Sequence, residues 1–168
     1  KQMNYSKETT CMFTGHRDIM SIEPEHMSRL APEIYKAIAL GKTTFLCGGA
    51  RGWDTYTALT IASIKVKKPL IKLVLVLPCC RAEQTKFWGN THIVVYDSIF
   101  KCADDVIYVS EHYYDKCYYD RNAKMVEMSS YCICYLKNEK SGTGQTVRLA
   151  RKNGLDVVNI ADGGLGNV

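Results

Sequence analysis

The stretch Thr43–Asp54, TTFLCGGARGWD, decides the fold of this chain. Its first five residues are β-branched or apolar and predict a buried strand, which the paired glycines that follow bring to an end. The next residues predict a helix to about Lys67, and the apolar run Leu70–Leu77 predicts another strand, which Pro78 ends. A strand, a glycine-rich turn, a helix and a second buried strand are typical of a parallel β-α-β unit.

The same alternation extends over the rest of the chain. Further strands are predicted at Thr10–Thr14, Asp105–Val109, Tyr131–Leu136 and Asp156–Ile160. Further helices are predicted from Pro24 to Gly41, over Arg81–Trp88, Asp97–Ala103 and Arg121–Ser129, and from a glycine-punctuated loop to about Lys152. This order predicts an α/β fold of three layers, doubly wound and Rossmann-like, with a mainly parallel sheet of about six strands or more.

Length and composition exclude several classes of protein. With 168 residues, 46% hydrophobic and 23% charged, the chain suits one globular domain, and we expect a single ligand-binding domain over residues 1–168. No run approaches the ~20 apolar residues of a membrane helix. The polar segment Lys1–Thr10 lacks the apolar stretch of a signal peptide, so we expect a cytoplasmic protein without a membrane partner.

The chain has eight cysteines, and four of them, Cys11, Cys47, Cys132 and Cys134, lie in predicted strands. Free cysteine behaves in such places as a small hydrophobic residue, which favours reduced thiols in the core. Zinc sites use paired C-x2-C or histidine-rich spacings. The pair Cys132 and Cys134 has no second pair at a suitable distance, so no metal site is predicted.

In doubly wound folds, ligands bind beyond the carboxyl ends of the strands, and two of the loops there carry arginine beside glycine. After the first strand, Gly15 would let the backbone approach a ligand, and His16 and Arg17 could face an anion, although a plain turn is an equal alternative. After the second strand, the glycine-rich loop contains Arg51, which can bind a phosphate through two hydrogen bonds. Asp54 is a candidate site residue or simply a helix N-cap.

A third loop carries Asp120-Arg121-Asn122, which opens the predicted helix before the fifth strand. Its alternative interpretation is a capping aspartate with a surface arginine. The preceding segment Tyr113–Tyr119 contains four tyrosines. These rings could stack on a base, pack a homo-oligomer interface or simply cover the surface.

The fourth loop, Ser141–Thr146, reads SGTGQT between the fifth strand and the next helix. Small residues and hydroxyls at a helix N-terminus are what phosphate binding requires. The loop is neither a P-loop, since no Gly-Lys-Ser/Thr follows, nor the dinucleotide fingerprint, since the six-residue glycine spacing is missing. It is the strongest candidate for a phosphate site in the chain.

Together these loops resemble the SLOG superfamily, which includes the Rossmann-like domain of DprA and the LOG proteins. The resemblance rests on GARGWD (Gly49–Asp54), DRN (Asp120–Asn122) and SGTGQTVRLA (Ser141–Ala150), and it extends from about Cys11 to Ile160. The T-G-H-R opening and the order of the blocks are most similar to the stand-alone YpsA-type branch. The resemblance implies a Rossmann-like domain that binds a nucleotide or a nucleotide-derived ligand.

Carried over residue by residue, the resemblance implies a ligand-binding set drawn from all four loops. With Asp54 added from the second loop, the set is Gly15, Arg17, Gly49, Arg51, Asp54, Arg121, Asn122, Ser141, Gly142, Thr143, Gly144 and Thr146. The phosphoribohydrolase branch has a catalytic glutamate in its last loop, and Arg148 stands at that place here. This departure lowers the case for an enzyme.

Three functions therefore remain as hypotheses. The first is a module that binds or senses a nucleotide-derived small molecule, such as ADP-ribose or an NAD-like compound, without any other cofactor being firmly implied. The second is an N-glycosidic hydrolase of nucleotides, with Asp54, Asp120 and Glu127 as the candidate carboxylates. The third is single-stranded DNA binding of the DprA type, for which the net charge of +5 and the tyrosines are the support.

Overall fold

The computed structural model describes residues 3–18 and 22–162, so residues 1–2, 19–21 and 163–168 of the predicted domain lie outside it. The strands are β1 (Thr10–Gly15), β2 (Thr44–Cys47), β3 (Lys72–Leu77), β4 (Asp105–Tyr108), β5 (Tyr131–Tyr135) and β6 (Asp156–Asn159). The helices are α1 (Pro24–Met27), α2 (Leu30–Ala39), α3 (Trp53–Lys67), α4 (Arg81–Gln84), α5 (Asn90–Cys102), α6 (Cys117–Met128) and α7 (Gly142–Lys152). None of the helices in the described residues is both long and apolar enough to cross a membrane.

The six strands form one sheet in the order β4-β3-β2-β1-β5-β6, and every neighbouring pair is parallel. This confirms the predicted α/β fold, and each predicted strand is present with small shifts at its ends. The chain moves outward from β1 to β4 and then returns to place β5 on the other side of β1. The order therefore reverses between β1 and β5, and a crevice opens at their carboxyl ends.

Alternate side chains of the strands pack into two hydrophobic layers, as a strand buried on both faces requires. Phe13, Phe45 and Leu75 lie on the face covered by α2, α3 and α5. Met12 and Leu46 lie on the opposite face, which α6 and α7 cover. Each fully buried side chain of this size contributes about 1.5–3 kcal/mol of burial free energy, so both layers hold the sheet in place.

The helices differ from the sequence prediction more than the strands do. The predicted helix from Pro24 is interrupted after Met27, because Pro32 has no N–H to donate to the carbonyl of Ser28 four residues earlier. Two other helices begin earlier than predicted, α5 at Asn90 and α6 at Cys117. The early start of α6 brings the end of the tyrosine-rich segment onto a helix, which matters for the site.

Gly52 fixes the loop after β2 against the loop after β1. Its backbone has φ 80° and ψ −121°, a conformation that residues with a Cβ rarely adopt. A Cβ at this position would lie 2.1 Å from the carbonyl oxygen of Arg17. The next residue, Trp53, donates its backbone N–H to the carbonyl of His16 at 3.1 Å. The two loops are therefore held together by backbone contacts.

We expect Gly52→Ala to lower the free energy of unfolding by about 3 kcal/mol or more, since backbone strain and steric overlap add. Gly154→Ala is the matched control, because Gly154 has a similar φ of 79° but a Cβ added there would have no neighbour within 4 Å among the described residues. The control should cost only about 1–2 kcal/mol. Urea denaturation measures both losses, and equal losses would contradict a close contact between the two loops.

Candidate functional site

A cavity of about 470 Å³ lies at the carboxyl ends of β1 and β5, where the strand order reverses. Its walls come from the loop after β1 and from the first turns of α3, α6 and α7. The residues that line it are Phe13, Thr14, Gly15, His16, Arg17, Ala50, Asp54, Tyr118, Tyr119, Arg121, Asn122, Met125, Ser141, Gly142, Thr143 and Gln145. We call this space the first cavity.

The side chain of Arg121 forms the buried, positively charged floor of the first cavity. Only 4% of Arg121 is exposed, and its Nη1 donates a hydrogen bond to the carbonyl of Gly48. Its Nε donates to Oδ1 of Asn122 at 2.8 Å. Burial lowers the pKa of the guanidinium, and the nearby carboxylate of Asp54 opposes that change. Arginine stays protonated in proteins, so the floor carries a fixed positive charge.

Asp54 is the carboxylate that faces this floor. Its side chain is buried, and Oδ2 accepts a hydrogen bond from the backbone N–H of Ala50 at 3.1 Å. Burial raises the pKa of the carboxyl, while Arg121 and the N–H of Ala50 act in the opposite direction. The alternative role as a helix N-cap is wrong, because Gly52 is the N-cap residue of α3 and has no side chain to cap it.

Tyr118 joins the two arginines that border the first cavity. The guanidinium carbon of Arg17 lies 4.9 Å from the centre of the Tyr118 ring, and that of Arg121 lies 5.5 Å from it. Burial raises the pKa of the Tyr118 hydroxyl, so this group keeps its proton at neutral pH. It can therefore donate a hydrogen bond to an anion beside the two cations.

The N-terminus of α7 forms another part of the wall of the first cavity. Ser141 is the N-cap, and its Oγ accepts a hydrogen bond from the N–H of Gly144 at 3.1 Å. This N–H is therefore already paired within the loop, although Gly144 is one of the predicted ligand-binding residues. The first N–H groups of an α-helix have no partner within the helix. Here they belong to Gly142 and Thr143, which both line the cavity.

Three of the predicted residues shape the loops instead of lining the first cavity. A Cβ on Gly144 would lie 2.2 Å from the carbonyl oxygen of Glu139, and Thr146 donates its hydroxyl to the carbonyl of Gly142 at 2.9 Å. Gly49 has φ 69° and packs so closely that a Cβ would lie 2.4 Å from a methyl group of Leu77.

Arg51 also lies outside the first cavity. It borders a neighbouring space of about 600 Å³, the second cavity, and its guanidinium carbon lies 5.7 Å from the ring centre of Trp88. The structure thus brings the other eight predicted residues to the first cavity, and their binding roles remain predictions. These eight are Gly15, Arg17, Asp54, Arg121, Asn122, Ser141, Gly142 and Thr143.

His16 holds the loop after β5 through backbone hydrogen bonds. Its Nε2 accepts from the N–H groups of Lys137 at 2.9 Å and Asn138 at 3.4 Å. A ring nitrogen that accepts hydrogen bonds cannot carry a proton, so the ring is neutral when these bonds form. Burial lowers the pKa of His16, and the charge of Lys137 lowers it further.

A family model matches this chain over residues 25–154: it is YpsA, the YspA SLOG family. The chain belongs to this family. The resemblance drawn from the four loops is confirmed at the level of both the superfamily and the YpsA-type branch. A relative in Bacillus subtilis (strain 168), the uncharacterized SPbeta prophage-derived protein YoqJ, is 27% identical over 123 residues. The matched region covers 66% of this chain and 71% of YoqJ.

Two solved structures of DNA processing protein A share this fold. The protein from Helicobacter pylori, described for its single-stranded DNA binding mode, has a TM-score of 0.64 and 17% identity. The superposition covers 90% of this chain and 64% of the Helicobacter pylori protein. DprA from Streptococcus pneumoniae has a TM-score of 0.62 and 16% identity, over 91% of this chain and 49% of that protein. The TM-scores show that the fold is shared, and at sequence identities this low the likeness extends to the fold alone.

Tyr118 and Tyr119 are not among the predicted site residues, although stacking on a base was one of the roles left open for the tyrosine-rich segment. The helix was predicted to begin near Arg121, which separates the tyrosines from it. In the structure α6 begins at Cys117, and residues three and four positions apart lie on one face of a helix. The spacing of three and four residues from Tyr118 to Arg121 and Asn122 was therefore the signal in the sequence that these side chains share one face of a helix.

Trp53, the first residue of α3, is fully buried and belongs to the core. Asp120 does not cap α6, whose N-cap position is occupied by Lys116, and instead accepts a hydrogen bond from the hydroxyl of Tyr114 at 2.5 Å. Neither Asp120 nor Glu127 lines the first cavity.

We expect protonation of His16 to destabilise the folded chain at acidic pH. Because the pKa of His16 is lowered in the folded state, its contribution to stability is present above its ordinary pKa of about 6.5 and is lost as the pH falls through the folded value. The control is His16→Gln, whose side-chain oxygen can accept the same bonds without titrating. The free energy of unfolding should fall more from pH 7 to pH 5 in the unchanged protein than in His16→Gln, and parallel curves would contradict this role.

Proposed function

We propose that this chain is a binding module for a nucleotide or a nucleotide-derived ligand, such as ADP-ribose or an NAD-like compound, with its phosphates in the first cavity. The observation that carries the proposal is that the buried side chain of Arg121 and the N-terminus of α7 line the same cavity of about 470 Å³. Cavities of roughly 300–1,000 Å³ are typical of small-molecule sites. The cytoplasmic location and a homo-oligomeric state remain predictions.

The electrostatic balance of the first cavity favours an anion. Arg17 and Arg121 supply two positive charges, and the N–H groups of Gly142 and Thr143 add the positive end of the dipole of α7. Asp54 is the one carboxylate among the described residues that line this space, and burial raises its pKa. A phosphate therefore meets an excess of positive charge whether Asp54 is ionised or neutral.

The shape of the site supports a nucleotide more than a bare phosphate. Tyr118 and Tyr119 border the cavity beside the cations and offer ring faces to a sugar or base. The side chain of Arg17 is exposed, whereas that of Arg121 is buried. Arg121 is therefore a fixed positive charge, and Arg17 is one that can move. This arrangement suits a ligand whose phosphate enters the cavity before the rest of the molecule.

We expect Arg17→Gln to weaken the binding of ADP-ribose about tenfold, because it removes one charge-assisted hydrogen bond to phosphate. Arg17 is exposed, so the substitution should leave the fold intact. The matched control is Arg151→Gln, which removes the same charge from an exposed position at the end of α7 that lines neither cavity. Isothermal titration calorimetry with ADP-ribose, NAD and ADP measures the affinities.

Two results would count against the proposal. One is the absence of both heat of binding and thermal stabilisation with every compound of the panel. The other is equal weakening by Arg17→Gln and Arg151→Gln, which would indicate a general effect of net charge. Tight, steeply salt-dependent binding of single-stranded DNA, without binding of the small compounds, would favour the nucleic-acid hypothesis instead.

N-glycosidic hydrolysis of a nucleotide is a second candidate function, favoured by the position of Asp54. Of the three candidate carboxylates, Asp54 alone lines the first cavity, and burial raises its pKa toward the range that a general acid needs. If the chain has this activity, Asp54→Asn should reduce the release of free base from nucleoside monophosphates by about 100-fold or more.

Chromatographic analysis of the products measures this release, and Asp120→Asn is the matched control because Asp120 lies on the same helix as Arg121 but outside the cavity. The control should retain the full rate. Absence of base release from all monophosphates by the unchanged protein would exclude this function and leave the binding proposal as it stands.

A further inference from the structure

The second cavity adjoins the first and carries an excess of positive charge. Its volume is about 600 Å³, and Arg17 and Tyr118 border both spaces. Among the described residues that line it, Arg17, Arg51 and Lys86 are cationic and Glu83 is the one carboxylate. Charge of one sign concentrated in a cavity attracts ligands of the opposite sign. The second cavity therefore favours an anion, but it offers different groups to that anion than the first cavity does.

Glu83 offsets little of this charge, because both oxygens of its carboxylate are already engaged. One oxygen accepts a hydrogen bond from the backbone N–H of Tyr113, and the other lies 3.0 Å from Nδ1 of His112. These contacts lower the pKa of Glu83, to which the charge of Lys86 also contributes, and Glu83 in turn raises the pKa of His112. The negative charge is thus held against the segment that follows β4, and it forms an ion pair with neither Arg51 nor Lys86.

Arg51 is the best-placed group for an anion in the second cavity. Its guanidinium carbon lies 5.7 Å from the ring centre of Trp88, which itself packs edge-on against Tyr96. This contact helps to hold the guanidinium in place. Within residues 3–18 and 22–162, Arg51 takes part in no ion pair. Its Nε is enclosed, so the two terminal nitrogens are the donors that a ligand can reach, and such a pair can bind two oxygens of one phosphate.

Lys86 supplies a second, exposed cation to the same cavity. Its Nζ lies 5.4 Å from the ring centre of Phe87, a side chain that is 89% exposed. In the described part of the chain it forms no ion pair either. A lysine ammonium acts on a phosphate as a point charge on a flexible stem. Arg51 and Lys86 together therefore provide a phosphate subsite separate from Arg121 and the N-terminus of α7.

Arg17 and Tyr118 connect the two groups of cations. The guanidinium carbon of Arg17 lies 4.9 Å from the centre of the Tyr118 ring, and both side chains line both cavities. A molecule that contacts both cavities passes this ring, which can pack against a sugar or a base. A nucleoside beside Tyr118, with a phosphate in each cavity, matches this arrangement of aromatic and cationic groups.

We propose that the ligand of this chain is a nucleoside bisphosphate, which carries phosphates on two different carbons of its sugar. One phosphate lies in the first cavity, and the other lies in the second cavity against Arg51 and Lys86. This inference rests on the proposed function and selects a substrate class within it. In ADP, NAD and ADP-ribose the two phosphates are joined to each other, so they cannot occupy the two cavities with a nucleoside between them.

The direct test compares adenosine 3′,5′-bisphosphate with AMP and ADP by isothermal titration calorimetry. AMP can fill only the phosphate site of the first cavity, and ADP controls for the number of phosphates. We expect the unchanged protein to bind the bisphosphate at least about tenfold more tightly than AMP, because the second phosphate gains charge-assisted hydrogen bonds from Arg51. The bisphosphate should also bind more tightly than ADP, whose second phosphate stays beside the first.

Two variants assign this advantage to the second cavity. Arg51→Gln should reduce the advantage of the bisphosphate over AMP to about twofold or less, because it removes the pair of donors. Lys86→Gln changes an exposed side chain, so it tests the same cavity at little risk to the fold, and it should reduce the advantage about threefold. Lys101→Gln is the matched control, because Lys101 is an exposed lysine in the last turn of α5 that lines neither cavity. The control should keep the full advantage.

The outcomes separate this inference from the proposed function. If AMP or ADP-ribose binds in an Arg17-dependent manner but the bisphosphate binds no more tightly than AMP, the second phosphate site is overturned and the first stands. An advantage that survives both Arg51→Gln and Lys86→Gln would also overturn it. If none of these compounds binds, the proposed function fails and this inference fails with it. Tighter binding of a single-stranded oligonucleotide than of the bisphosphate would overturn the assignment in favour of a nucleic acid.

Discussion

The site depends on one constraint, the burial of the Arg121 guanidinium beside the backbone of Gly48. Taking a charge out of water is costly unless hydrogen bonds and opposite charges compensate it. Here the carbonyl of Gly48, the amide of Asn122 and the carboxylate of Asp54 provide that compensation. A Cβ on Gly48 would lie 2.5 Å from Nη1 of Arg121 and 2.8 Å from Oδ2 of Asp54, so the glycine makes the space that the charges occupy.

This constraint links three loops that are distant in the sequence. Gly48 and Asp54 flank the loop after β2, Arg121 comes from α6, and Gly52 brings the loop after β1 into contact through the carbonyl of Arg17. None of these contacts lies within one secondary-structure element. The arrangement exists only because the parallel sheet places the carboxyl ends of β1, β2 and β4 at the same edge, from which α6 begins.

The strands and the family could be predicted from the sequence because their signals are local. Apolar runs such as Leu73–Leu77 and the order of the four loops need no knowledge of tertiary contacts. The second cavity has no such local signal. The position of Gln84 in its wall depends on a hydrogen bond from its side-chain amide to the carbonyl of Gly49, which lies 35 residues away in the chain. Likewise, the cysteines in β1, β2 and β5 were predictable as core residues, and Cys11, Cys47, Cys132 and Cys134 are fully buried.

The two cavities combine fixed and adjustable side chains. Arg121, Asp54 and Gln84 are buried and held by hydrogen bonds, so their geometry is set before a ligand arrives. Arg17 is exposed and Tyr118 is partly exposed, and these two border both cavities. Movement of Arg17 and Tyr118 would change the walls of both cavities at once. Under the proposed function, a ligand that displaces Arg17 in the first cavity would therefore also change the shape of the second.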